Sequence, residues 1–248
     1  MNWFHCYQPR PYASLRLFCF PHAGGSASFY RGWHAAAPHS VEVRAVQYPG
    51  RGDRRADPFV DDAYHLAERV ADAMAPLLDR PVALFGHSMG ALIAYEVART
   101  LEARGRGVTH LYASGRHPPH EHRHSDTHAG SDDELIGEIV GLGGVEPELM
   151  ADPDIRELAL PAIRNDYRLD ETYRHRPGGV LACPVTALLG DDDPEVTAEQ
   201  AARWGELTRA GCTVRVLGGD HFYLVPRQDD VIAELPRAVT SAWASLTP

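Results

Sequence analysis

The sequence contains no lysine, and all 24 of its basic residues are arginine. We read that bias as codon usage from a GC-rich genome rather than as function. Against the arginines stand 34 acidic residues, for a formal net charge of −10. A nucleic-acid binder would carry a basic stripe, so that class is disfavoured. An acidic partner would need a local basic site, because the field of the whole chain opposes it. No apolar run is long enough to span a bilayer. Residues 1–10 lack the basic-then-apolar pattern of an export signal, so no export is expected. Cysteine is scarce: Cys6, Cys19, Cys183 and Cys212 are far apart and form no C-x-x-C. Cys19 and Cys183 lie in or beside apolar runs, where a thiol serves as a small hydrophobe. These features together suit a reducing cytoplasm.

What is present suits one globular domain, or one domain with an insertion: 248 residues, 44% of them hydrophobic. Strands are expected at 15–20, 41–47, 109–114, 184–189 and 213–217, and the stretch 81–92 reads as a further strand, a tight turn and the start of a helix. Helices are expected at 29–37, 61–78, 91–101 and 231–244, the second because Leu66, Val70, Met74 and Leu77 recur at helical spacing. Strands alternating with helices imply an α/β fold, a parallel sheet covered on both faces. The interval 116–181 breaks that alternation. Ser131-Asp132-Asp133-Glu134 reads as a capping box, with helix continuing over 135–140. Asp152-Pro153 reads as an N-cap followed by proline at the first helical position, with helix running toward Tyr173 and a kink or restart at Pro161. Segments inserted late in such a sheet sit over the strands' C-terminal ends, where ligands bind. The expected organisation is therefore a core of 1–115 and 182–248 with a helical lid over 116–181.

The chemistry centres on Gly86-His87-Ser88-Met89-Gly90, a G-x-S-x-G between an apolar strand and a helix. A serine at such a turn is held in strained backbone geometry with its hydroxyl exposed, and the flanking glycines avoid collisions with neighbouring backbone. The helix that follows points its N-terminus at the serine, which frees the Met89 amide to stabilise a negative oxygen. A serine hydroxyl needs a base, and the base an orienting acid, in chain order Ser, Asp, His. The acid is expected after the strand that ends at Gly190, where three aspartates follow in a row. Asp193 is favoured, with Asp192 second. The base is expected after the last strand, at His221 in Gly218-Gly219-Asp220-His221. Asp220 reads as structural. The second oxyanion donor is expected in Pro21-His22-Ala23-Gly24-Gly25, at the Ala23 amide. That loop lacks the Lys-Ser/Thr ending of a phosphate loop and the spacing of a dinucleotide fingerprint. From spacing alone, then, the chain is a serine hydrolase.

Four blocks carry a family resemblance: Phe20-Pro21-His22-Ala23-Gly24-Gly25, Gln47-Tyr48-Pro49-Gly50-Arg51, Gly86-His87-Ser88-Met89-Gly90-Ala91 and Gly219-Asp220-His221-Phe222. Together they resemble the discrete type II thioesterases of polyketide and nonribosomal peptide synthesis. The match covers nearly the whole chain. It implies the α/β-hydrolase fold with a mobile helical lid. It also implies hydrolysis of aberrant or stalled acyl groups from the phosphopantetheine thiol of carrier proteins. Ser88 matches the family nucleophile, His221 the base, Asp193 the acid of its G-x-x-D element, and Ala23 and Met89 the oxyanion amides. His22, Gly24, His87 and Phe222, beside these residues, are the expected substrate-contacting positions. The expected partners are an acyl or peptidyl carrier protein and its synthase, with no cofactor, no metal, no nucleic acid and no membrane, and the chain itself is expected to be a monomer. Tyr48, Gly52 and Asp220 stand where relatives usually carry leucine, an acidic residue and glycine, departures that touch substrate range rather than chemistry.

Rival readings use the same residues. A general carboxylesterase or lipase would apply the triad to oxygen esters, and an acyltransferase would pass the acyl group to an amine or alcohol. A degenerate carrier-binding module would not need the intact Ser, Asp and His series. Arg51, Arg54 and Arg55 form a basic cluster that could meet an acidic carrier. His117, His120, His122, His124 and His128 could be read as a metal site, but they show no regular ligand spacing and read better as a solvated loop.

Overall fold

The computed structural model describes residues 2–121 and 125–243. Its elements in chain order are β1 (Phe4–His5), β2 (Leu15–Phe20), α1 (Trp33–Ala36), β3 (Val41–Val46), α2 (Ala63–Met74), β4 (Val82–His87), α3 (Met89–Ala103) and β5 (His110–Ser114). The chain continues through α4 (Asp132–Gly141), α5 (Pro147–Ala151), α6 (Pro153–Thr172), β6 (Val185–Gly190), α7 (Ala198–Ala202), β7 (Cys212–Leu217) and α8 (Gln228–Trp243). The seven strands form one sheet in the order β1-β3-β2-β4-β5-β6-β7. Only β1 runs antiparallel, pairing Phe4 with Val46 and His5 with Ala45. That edge strand is two residues long, too short for an alternating pattern to announce it.

Strands buried on both faces alternate between two cores. In β2, Leu15, Leu17 and Cys19 join Tyr30, Trp33 and Val231 on one side. Phe18 and Phe20 point to the other, against Leu84, Leu92 and the apolar stripe Leu66, Val70 and Met74 of α2. Each such side chain, fully removed from water, contributes about 1.5–3 kcal/mol. The chain runs outward from β2 to β3, then returns to lay β4 on the other side of β2. The crevice between the C-terminal ends of β2 and β4 is therefore a topological switch point, where open α/β sheets bind ligands.

Three differences from the sequence expectation have local causes. The helix expected at 29–37 is instead a 3-10 turn, Ala27–Tyr30, followed by the single turn α1. Gly32 separates the two, and the Tyr30, Trp33 and Phe85 rings pack edge to face with centroids 4.7 to 6.1 Å apart. Secondly, Pro161 neither stops nor restarts α6, which runs unbroken for 20 residues. Its ring lies on the exposed side of the helix. Thirdly, α5 and α7 are short helices that the periodicity did not reveal. The expected capping box at Ser131 and Glu134 is present, and the Asp152 side chain accepts the Asp154 and Ile155 amides. Helices α4 to α6 hold a small core of their own, with Leu135, Ile136, Ile139, Met150, Leu160 and Ile163. No helix among the described residues is long and apolar enough to cross a membrane.

Candidate active site

Ser88 sits between β4 and α3 with φ +54° and ψ −123°, and among the described residues it is the one non-glycine with positive φ. Sequence explains how the turn is tolerated. A Cβ on Gly86 would run into the Gly90 carbonyl, and one on Gly90 into the Phe20 carbonyl of the adjacent strand. The Ser88 amide donates to the Ser114 carbonyl at 2.8 Å, tying the turn to β5. Residues in such sparsely populated backbone regions cost about 1–3 kcal/mol and persist only where the surroundings over-determine them.

The three consecutive aspartates after β6 separate by their contacts. Asp191 Oδ1 accepts the Gly219 amide at 2.8 Å and so pins the loop that carries His221. Asp192 donates its amide to the Gly219 carbonyl at 3.0 Å, and the residue is exposed. Asp193 places its two carboxylate oxygens 2.9 and 3.1 Å from His221 Nδ1. Both side chains of that pair are buried, at 0% and 2% exposure, so solvent screens the interaction little. Asp193 Oδ1 also accepts the Glu195 amide at 2.9 Å, which fixes the carboxylate plane. Asp220 accepts the Phe222 amide at 2.8 Å, a local turn contact that orients the loop.

A cavity of about 170 Å³ opens between this set and the helical insertion. Ser88, His221, His22, Ala23, Gly24 and Phe222 line its floor. Its roof comes from the insertion, with Ile139, Leu142, Val145, Met150, Ile163 and Tyr167. No sequence motif marked those roof residues. Ser88 and His221 share this cavity without a hydrogen bond between them among the described residues. Such contacts are commonly long before substrate arrives. The Gly24 amide is taken by Asp166 and the Gly25 amide by the His22 carbonyl. Among the described residues the Ala23 and Met89 amides take no protein acceptor.

His22, Gly24 and Phe222 thus reach the cavity wall, whereas His87 does not. The His87 ring is fully buried beneath it, with Nδ1 3.0 Å from Ser114 Oγ and its centroid 4.8 Å from that of His221. Burial and the neighbouring His221 and His22 push the His87 pKa well below its ordinary value. Burial, with His221 and Arg51 nearby, lowers that of His22 to about 3. Two neutral imidazoles therefore flank His221 and set no positive charge against it.

The basic cluster proposed for an acidic partner is overturned at two of its three positions. Arg51 is 8% exposed and forks onto Asp166 of α6, with Nη2 2.7 Å from Oδ1 and Nη1 on Oδ2. Arg54 is 4% exposed, donates to Asp57 at 2.8 Å, and lies 3.9 Å over the Trp3 ring. Only Arg55 faces solvent. Local charge density looked the same for all three, since Asp166 and Trp3, which cover Arg51 and Arg54, come from elsewhere in the chain. Of the histidines read as a possible metal cluster, His120 faces Glu206 at 2.9 Å, His128 faces Glu171 at 2.5 Å, and His117 is buried. His122 and His124 lie outside the described residues. Among the described residues no three His, Cys, Asp or Glu converge on one point.

Comparison with known proteins bears on this geometry. The thioesterase domain family matches residues 15–239. The probable cadicidin biosynthesis thioesterase of Streptomyces griseus is 43% identical over 238 residues, which cover 96% of this chain and 66% of that protein. Thioesterase PikA5 of Streptomyces venezuelae is 42% identical over 224 residues, covering 90% of this chain and 80% of that one. Among solved structures, the type II thioesterase BorB from the borrelidin biosynthetic cluster superposes with a TM-score of 0.89 at 43% identity, over 96% of this chain and 97% of its own. With an open parallel sheet, a strained serine at its switch point and a match over nearly its whole length, the chain belongs to the thioesterase family, as a type II enzyme of the α/β-hydrolase fold that acts on thioesters.

Proposed function

We propose that this enzyme hydrolyses acyl groups from the phosphopantetheine arm of carrier proteins, clearing aberrant or stalled units from a polyketide or nonribosomal peptide synthase. The observation that carries this reading is the single cavity in which Ser88, His221 and an apolar roof meet, with Asp193 behind His221. The apolar roof suits an acyl chain, and the insertion 116–181 acts as the lid that admits it. Ser88 Oγ attacks the thioester carbonyl carbon while His221 Nε2 takes the hydroxyl proton. Asp193 accepts Nδ1–H, which keeps Nε2 free as the base and stabilises the imidazolium that forms. The Ala23 and Met89 amides donate to the oxyanion. The C–S bond then breaks, and His221 returns its proton to the leaving thiol. Water attacks the acyl-enzyme, gives its proton to His221, and the free acid departs as Ser88 regains a proton. The four cysteines are unpaired, in keeping with a reducing cytoplasm.

The test is mass spectrometry of several acyl-carrier proteins incubated with the enzyme and with Ser88→Ala. Release of free acid that requires the intact serine is expected, with a loss of several orders of magnitude in the variant. Near-native turnover by Ser88→Ala would sink the triad. Rapid hydrolysis of aryl esters with acyl-carriers left untouched would hand the site to the carboxylesterase reading.

A further inference from the structure

The Ala23 donor stands on a loop whose internal tie is the Gly25 amide on the His22 carbonyl at 2.9 Å. Residues 21–27 connect β2 to a 3-10 turn, and Gly24 at φ +76° lets the chain double back there. The loop's backbone is held from outside by two segments. From the loop after β3, the Tyr48 hydroxyl donates to the Pro21 carbonyl at 3.4 Å, and Gln47 Oε1 accepts the Ala27 amide at 3.1 Å. Arg51 Nη1 donates to the Gly25 carbonyl at 3.4 Å. From the insertion, Asp166 Oδ2 accepts the Gly24 amide at 2.8 Å. Asp166 in turn is 2% exposed and takes both arms of the Arg51 fork. Burial alone would lower the Arg51 pKa, but the facing carboxylate outweighs it and the net shift is upward. Ile163, one turn before Asp166 on α6, packs directly against the Gly24 Cα, where any Cβ would strike it.

We infer that Asp166 and Arg51 are positioning residues that lock the Ala23 amide into the oxyanion site only while α6 is seated, so that lid closure and completion of the oxyanion hole are one event. This rests on the reading of Ala23 as an oxyanion donor. The reasoning is geometric. Asp166 holds the Gly24 amide, whose rigid peptide plane includes the Ala23 Cα, so a shift at Gly24 moves the atom that carries the Ala23 nitrogen. The same carboxylate is carried by the helix that roofs the acyl cavity. With α6 displaced, Gly24 loses its acceptor, Arg51 loses its counter-charge, and the loop is left to relax. Displacing a donor by about 1 Å costs on the order of 10²-fold in rate, and losing it costs about 10²- to 10³-fold.

A positioning role separates from a merely structural one by which ligand loses affinity. An alkyl trifluoromethyl ketone becomes an oxyanion when Ser88 adds to it, whereas the corresponding secondary alcohol fills the same cavity without one. For Asp166→Ala, kcat on an acyl-carrier protein and affinity for the ketone are both expected to fall about 10²-fold, with affinity for the alcohol within about threefold of wild type. Asp166→Asn keeps an acceptor for the Gly24 amide and is expected to recover part of the loss. Should Asp166→Ala fail to fold, the double variant Arg51→Met with Asp166→Leu removes both charges together and is expected to show the same selective loss of ketone binding. A folded variant that binds the ketone as tightly as wild type would overturn the inference while leaving the triad intact. Wild-type enzyme that forms no ketone adduct would overturn the oxyanion reading and the inference with it.

Discussion

Replacing Ser88 by glycine should make this enzyme more stable while abolishing its activity. Ser88 holds φ +54° and ψ −123°, a region that penalises any Cβ. Strain of that kind is worth about 1–3 kcal/mol. Glycine adds roughly 0.4–1 kcal/mol of unfolded-chain entropy to the cost of folding. At mid-range, about 2 less about 0.7, the difference leaves a gain of roughly 1.3 kcal/mol. Nothing else in the site cancels it. Ser88 is half-buried and lines an existing cavity, so its removal opens no new void in the core. For a chain of this size each kcal/mol moves Tm by about 2–4 °C, giving an expected rise of roughly 3–5 °C. Ser88→Ala is the control, since it keeps the Cβ and the strain and should melt close to wild type. Equilibrium urea unfolding of the three proteins decides the matter. If Ser88→Gly were no more stable than Ser88→Ala, the elbow would hold no strain and the account of its glycines would fail.

Asp193→Asn should lower kcat by about 10³- to 10⁴-fold by disturbing the His221 tautomer, while Asp192→Asn, on an exposed residue, stays within a few-fold; steady-state kinetics of both variants checks the assignment. Stability should fall on acidification between about pH 6.5 and 4. Burial lowers the His110 pKa from 6.5 to about 4, so in that window the unfolded chain binds the extra proton. The contribution is complete above pH 6.5 and fades as pH drops toward 4, a change of about 3 kcal/mol for this one group. Urea melts of His110→Gln across that range should show a shallower pH slope than wild type, and an equal slope would refute the account. Arg54→Glu should cost about 3–5 kcal/mol, because it removes a buried partner of Asp57 and sets a carboxylate against the Gln47 carbonyl. Arg55→Glu should change stability by no more than about 0.5 kcal/mol, and comparable losses in both would mean that Arg54 is not buried as described.

The alternation of strand and helix, the elbow and the chain order of serine, aspartate and histidine were legible in the sequence because each is a near-neighbour property. A period of two or 3.6 needs only the adjacent residues, and a serine between Gly86 and Gly90 announces a turn that no bulkier flanks would permit. Tertiary structure decided the rest. Three aspartates in a row are chemically alike until the turn aims one of them at His221. His87 stands beside Ser88 in the motif, yet strand pleat sends its ring beneath the sheet's end and toward Ser114 rather than into the cavity. Arg51 and Arg54 read as a basic cluster because Asp166 and Trp3, which cover them, lie far along the chain. The Asp166 carboxylate that holds Gly24 lies 142 residues away from it, at a position that no motif marked. Local pattern specified the main strands and helices, though not β1, α5, α7 or the break at Gly32. Which charges meet, and which side chain a cavity wall presents, is settled only when packing brings distant segments together.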